Sequence, residues 1–211
     1  MGQAKITNPD RQKSTEKTEA ILEGAMGEFL THGYAATSMD RVAAAAGVSK
    51  ATVYSHFQDK ESLFTGLIQR LMSGRYKTIL GLENPQLLQG EPSIVLRNIA
   101  NNMLDNTMNN HQLQSFMRVI VGESGRFPEL AQPYVKTIAK PVIELLSQYL
   151  GSCSDLKLTD PEATARVFMG TLIYYVILQE VMYGKDILPM EQDRIIDTLV
   201  GLIVGERTTA H

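Results

Sequence analysis

This sequence predicts an all-α protein, with a small N-terminal helical domain followed by a larger helical one. Three observations carry that expectation. Apolar residues recur at three- and four-residue intervals along most of the chain, as one face of a helix requires. No segment alternates apolar and polar residues as a half-buried strand would. The periodic stretches are punctuated by Ser, Thr or Asp before them and by Gly, Asn or Pro after them. A length of 211 residues suffices for one large or two modest domains with real cores.

Residues 1–13 (MGQAKITNPDRQK) are polar and aperiodic, and read as a flexible tail. The first helix then runs to about His32, with Leu22, Ala25, Met26, Phe29 and Leu30 on its core face. Gly24 and Gly27 weaken it and suggest close helix packing. Thr37 and Asp40 have capping-box spacing, and Met39, Val42, Ala43 and Ala46 form the apolar face of a short second helix. Gly47 supplies a left-handed stop, Val48 a plug, and Ser49 a cap for a two-turn third helix, Lys50 to Phe57. In that helix Val53 and Phe57 face inward, leaving Lys50, Thr52, Ser55 and His56 outward. Two short helices about a glycine turn are the layout of a helix-turn-helix, and this exposed face suits phosphates and base edges. The tail's Lys5, Arg11 and Lys13 then have a second reading, a basic arm in the minor groove.

Asp59-Lys60-Glu61 opens a fourth helix with Leu63, Phe64, Leu67, Ile68 and Leu71 as its stripe. Residues 14–60 are thus the expected helix-turn-helix domain, 60–80 a linking helix, and 81–211 the C-terminal domain. Gly81 to Ser93 reads as a loop. Helices follow at Ile94 to Met108 and at Gln112 to Glu123, and another restarts at Pro128. Pro133 and Pro141 shift or kink that one before Leu150. Gly151 to Asp160 is a loop, and Asp160-Pro161-Glu162 is a strong helix start.

The stretch GVSKATVYSHFQDKESLF, with TSMDRVA before it, resembles the signature of the TetR family of bacterial transcriptional regulators. The likeness covers about the first third of the chain. It implies an all-α homodimer with an N-terminal DNA-binding domain and a larger C-terminal ligand-binding and dimerisation domain. Carried residue by residue, it implies phosphate contacts for Thr37, Tyr54, His56 and Lys60, and base-edge approach for Lys50, Ala51, Thr52 and Ser55. Ser49 joins this DNA-facing set. Simpler readings stand beside these: Tyr54 packing on the second helix, Ala51 merely allowing close approach, Lys60 a solvated charge. RVIVGESGRFPELAQPY, Arg118 to Tyr134, is similar to the C-terminal domain of the AefR-like branch, and Arg118, Glu123 and Arg126 are expected to tie its corner together.

Val167 to Leu178 is apolar nearly all round, and the last helix carries a broad apolar surface, so both are expected at a twofold interface. The residues assigned there are Phe168, Leu172, Val176, Ile195, Leu199, Leu202 and Ile203. The resemblance implies the same two helices, and twofold symmetry then predicts a palindromic operator on double-stranded DNA. Met103, Phe116, Met117, Ile120, Tyr134, Phe168, Leu172 and Tyr175 are candidate lining for a small apolar or aromatic effector, or else ordinary core.

The net charge of −3 divides unevenly, with 9 basic and 8 acidic residues in 1–75 and 11 and 15 beyond. DNA binding must therefore rest on a few placed cations. The single Cys153 excludes an intrachain disulfide and fits a reducing cytoplasm. No apolar run is long enough for a membrane span, the polar N-terminus lacks the apolar segment of a signal peptide, and no catalytic set, metal-ligand spacing or cofactor motif appears. Two functions remain: a repressor released by a small molecule, and a DNA-binding protein whose effector is a protein or absent.

Overall fold

The amphipathic spacing of the sequence is realised as helices throughout the computed structural model, which describes residues 9–72 and 89–205. Among the described residues there is no strand. The helices are α1 (Pro9–Ala36), α2 (Met39–Ala45), α3 (Lys50–His56), α4 (Lys60–Met72), α5 (Pro92–Met108), α6 (His111–Glu123), α7 (Pro128–Tyr134), α8 (Lys140–Ser152), α9 (Pro161–Val176) and α10 (Gln192–Val204). No described helix is long and apolar enough to cross a membrane. Residues 1–8, most of the expected 81–93 loop and the far end of the linking helix lie outside the described residues.

Two compact units result. One holds the chain up to Leu71 together with Val119–Pro133, and the other holds Met72–Arg118 and the chain from Tyr134 on. The first unit therefore takes in the end of α6 and most of α7, a grouping that a division by chain order does not give. Its core is the face read from the sequence: Leu22, Ala25, Met26 and Phe29 of α1, with Leu63, Phe64, Leu67 and Ile68 of α4, all buried. The rings of Phe29 and Phe64 meet edge to face at 5.1 Å, and Phe127 packs against Tyr34 at 5.1 Å. Each such ring removes enough apolar surface from water to contribute roughly 2–3 kcal/mol. Leu30, expected inward, is exposed instead.

Close packing explains Gly24 but not Gly27. A Cβ on Gly24 would lie 2.9 Å from the backbone nitrogen of Ala46, whereas one on Gly27 would meet nothing within 4 Å. Gly33 breaks α1 at φ 73°, ψ 173°, a conformation essentially confined to glycine. That break turns the chain toward α2.

In the second unit α9 lies against α8, α5 and α10, and α10 lies against α5. Leu96, Ile99, Ala100, Met103 and Leu104 of α5 all enter the shared core, as their spacing predicts. Proline explains the connection between α7 and α8. Pro133 and Pro141 each lack the N–H of a regular turn, and between them the chain widens to a π-helix at Val135–Ala139. Within it the Lys140 N–H donates to the carbonyl of Val135, five residues back. Asp160 caps α9 by accepting the Ala163 N–H at 2.9 Å, with Pro161 in the first turn.

Candidate nucleic-acid interface

The turn between α2 and α3 is set by local chemistry. Ser38, not Thr37, caps α2, its hydroxyl accepting the Arg41 N–H at 3.3 Å. A single cap one residue later thus replaces the capping box expected of Thr37 and Asp40. At the other end, the N–H of Gly47 donates to Ala44 and that of Val48 to Ala43 at 3.0 Å, with Gly47 at φ 65°. This is a Schellman stop, in which a left-handed residue closes the last carbonyls. Ser49 then caps α3, accepting the Thr52 N–H at 3.1 Å, and the two hydroxyls lie 2.8 Å apart. Val53, fully buried, pins the helix to the core.

Pinned this way, α3 exposes Lys50, Ala51, Tyr54 and Ser55, with Thr52 and His56 half-buried. The Lys50 ammonium pairs with Asp40 at 2.7 Å, and this bond raises its pKa. It also lies 5.9 Å from the centre of the Tyr54 ring. The Ser55 hydroxyl donates to the carbonyl of Thr52. His56 is tied to α1: its Nδ1 is 2.9 Å from the Thr18 hydroxyl, which itself donates to the Ser14 carbonyl.

Two expected phosphate contacts are turned inward. Thr37 is buried, and its hydroxyl lies 2.8 Å from the Gly33 carbonyl and 3.1 Å from that of Glu28. Lys60 donates to the carbonyls of Tyr34 at 2.7 Å and Thr37 at 3.0 Å. Burial holds its pKa below the usual lysine value, with Glu123 opposing. Both side chains satisfy the orphan carbonyls where α1 breaks, a demand that local spacing does not reveal. Sequence reasoning also passed over Ser38 and the exposed Arg41 at the start of α2. The adjacency of Ser38 to the first apolar residue, Met39, was the available signal.

The residues assigned to the dimer and effector sites separate as well. Phe168, Leu172, Val176, Leu199 and Ile203 are buried in the chain's own core and Ile195 packs against it, so of that set only Leu202 stands in solvent. The outward apolar side chains of α9 and α10 are Val167, Tyr174 and Leu202. Met103, Phe168, Leu172 and Tyr175 pack in that core, and Phe116 is buried; Met117 and Tyr134 are half-buried, and Ile120 belongs to the first unit. Burial raises the Tyr134 phenol's pKa. Arg118 does not tie the corner as expected. It donates to the carbonyls of Glu180 and Val181, at 2.7 and 3.0 Å. A depression of about 560 Å³ borders α8 and α9, but its wall includes the ion pairs Lys140–Glu144 and Arg166–Glu162 and none of the candidate lining.

A capped two-turn helix held outward beyond a Schellman turn is the geometry of a DNA-reading element. The family profile of bacterial regulatory proteins of the tetR type matches residues 21–67, and that of the AefR-like transcriptional repressor C-terminal domain matches residues 94–205. The chain belongs to the TetR family. It is a DNA-binding transcriptional regulator. Among TetR-family relatives, the transcriptional regulator AcrR of Shigella flexneri is 27% identical over 158 residues, covering 74% of this chain and 73% of AcrR. The repressor AcnR of Corynebacterium glutamicum is 42% identical over 55 residues, 26% of this chain and 29% of AcnR. Of solved structures, the flavonoid-responsive regulator FrrA is 29% identical, with a TM-score of 0.73 over 93% of this chain and all of FrrA (100%). The fatty acid degradation regulator FadR of Bacillus halodurans shares the fold at 21% identity and a TM-score of 0.69, over 97% of this chain and 99% of its own.

Proposed function

We propose that this TetR-family chain is a repressor that binds a palindromic operator as a homodimer and leaves it when a small apolar or aromatic molecule binds the C-terminal unit. The observation that carries the reading is α3, capped by Ser49 and anchored by Val53, with Lys50, Ala51, Tyr54 and Ser55 exposed along it. In the groove, Lys50, Ala51, Thr52 and Ser55 approach base edges, Tyr54 and His56 hold phosphates, and Ser49 stands at the helix start. Thr37 and Lys60 act by holding the break in α1 rather than by touching DNA. Repression is supported by the AefR-like repressor profile and by AcnR, and an aromatic effector by the flavonoid response named for FrrA. The effector acts by its differential affinity for a dimer whose two α3 helices are wrongly spaced for the operator.

The test is selection and sequencing of genomic fragments bound by the purified chain at physiological salt. A recovered inverted repeat, lost on addition of flavonoid-like or other planar apolar compounds, is the expected result. Random fragments recovered from folded dimer would remove the operator reading. A palindrome that no small molecule releases would favour a protein effector or none.

A further inference from the structure

DNA binding leaves unused the strap that joins α9 to α10. After the π-helix at Ile177–Val181, residues 182–191 cross to α10 with four large apolar side chains in solvent: Met182 at 65%, Tyr183 at 72%, Ile187 at 84% and Leu188 at 61% exposure. A loose apolar loop hides such groups. This one is tethered from beneath. The buried Gln179 donates its amide to the Leu188 carbonyl at 2.9 Å, and the Tyr175 hydroxyl donates to the Met190 carbonyl at 2.8 Å. Arg118 holds the carbonyls at the strap's start and lies 4.6 Å from the centre of the Tyr183 ring. The N–H of Gly184 donates to Leu178 at 2.8 Å, those of Ile187 and Leu188 to Gly184, and Tyr183 takes a left-handed φ of 56°. The backbone is therefore fixed before any partner arrives, which lowers the ordering cost of binding.

We propose that the strap is an arm of the homodimer contact, seating Ile187 and Leu188 on a second copy of the chain. This rests on the reading of α9 and α10 as the dimer helices. Area favours it: the two helices expose only Val167, Tyr174 and Leu202 as large apolar groups among the described residues. Three such side chains fall well short of the roughly 800 Å² per partner of a stable interface, and the strap about doubles the supply. Continuity favours it too, because a contact made by both helices carries their connection to its edge. Charge speaks against a nucleic acid or an anionic membrane. The strap's charged residues, Lys185, Asp186 and Glu191, sum to −1, and Lys185 lies 3.7 Å from Glu180, so no cationic field draws either one.

The test compares the full-length chain with the double variant Ile187→Asp/Leu188→Asp and with Leu202→Glu by sedimentation equilibrium. In a fourth sample a photoreactive benzoylphenylalanine replaces Ile187 alone. The strap variant is expected to raise the dimer dissociation constant about tenfold or more with unchanged helical circular dichroism, and position 187 to give an intersubunit crosslink on illumination. Dissociation by Leu202→Glu, with an unaltered strap variant and no crosslink, would overturn the strap proposal and leave the helical dimer standing. A wild-type chain monomeric at micromolar concentration would overturn both. If the double variant misfolds, the crosslink alone decides.

Discussion

Lys60 and Tyr34 are joined twice: the ammonium donates to the Tyr34 carbonyl at 2.7 Å and lies 4.3 Å from the centre of its ring. The same ring touches Phe29, Phe64 and Phe127, so one cation closes the junction of α1, α4 and the α6–α7 corner.

From that contact, Lys60→Met is expected to destabilise the first unit by about 1–3 kcal/mol, because part-buried carbonyls lose a charged donor. The slope of log affinity against log salt should stay as in wild type. A slope shallower by about 0.9 would return Lys60 to a phosphate.

Tyr34 makes the junction sensitive to alkali. Burial first, then Glu129, Glu61 and Asp59, push its phenol up to about 12 from 10.0. A raised acid favours the neutral folded form, so its contribution is fully present below about pH 10 and is lost as pH rises through 12. At 1.36 kcal/mol per unit this amounts to roughly 2–3 kcal/mol. Urea melts of wild type and Tyr34→Phe should diverge between pH 10 and 12, with the variant flatter; parallel curves would refute the assignment.

The Lys50–Asp40 pair occupies a cation that DNA would use. Asp40→Asn should tighten binding to specific and random duplexes alike, by a few fold at most, since solvent screens a pair this exposed. Unchanged or weaker binding in a titration at low salt would remove Lys50 from the contact set.

Ser49→Ala should cost about 1 kcal/mol of stability and weaken binding to every sequence, because α3 has only two turns to lose. Thr52→Ala should instead alter base preference more than overall affinity, read by binding to a panel of operator variants. Equal losses on all of them would make Thr52 a support of the cap alone.

At Gly33, alanine meets both a forbidden backbone and the Glu123 carboxylate, 2.9 Å from the added carbon. Gly33→Ala should cost about 1–3 kcal/mol. Adding Glu123→Ala should recover little of it, since a side chain can move aside and φ cannot. Full recovery in thermal melts would place the strain in the contact instead.

By itself the sequence determined what depends on neighbours along the chain. The Leu63 to Leu71 stripe, the Gly47 stop, the Ser49 cap and the Asp160-Pro161 start are all chosen within a turn or two, so spacing and backbone preference suffice. Tertiary structure decided what depends on the element across the gap. A helix apolar on every side, such as α9, has no polar stripe to say that Val167 and Tyr174 face out while Phe168 and Leu172 face in. Thr37 and Lys60 look like exposed polar residues until the break at Gly33 leaves carbonyls within their reach. Val119–Pro133 joins the DNA-binding unit because Phe127 finds the ring of Tyr34, more than 90 residues away in the chain, and no local pattern carries that contact.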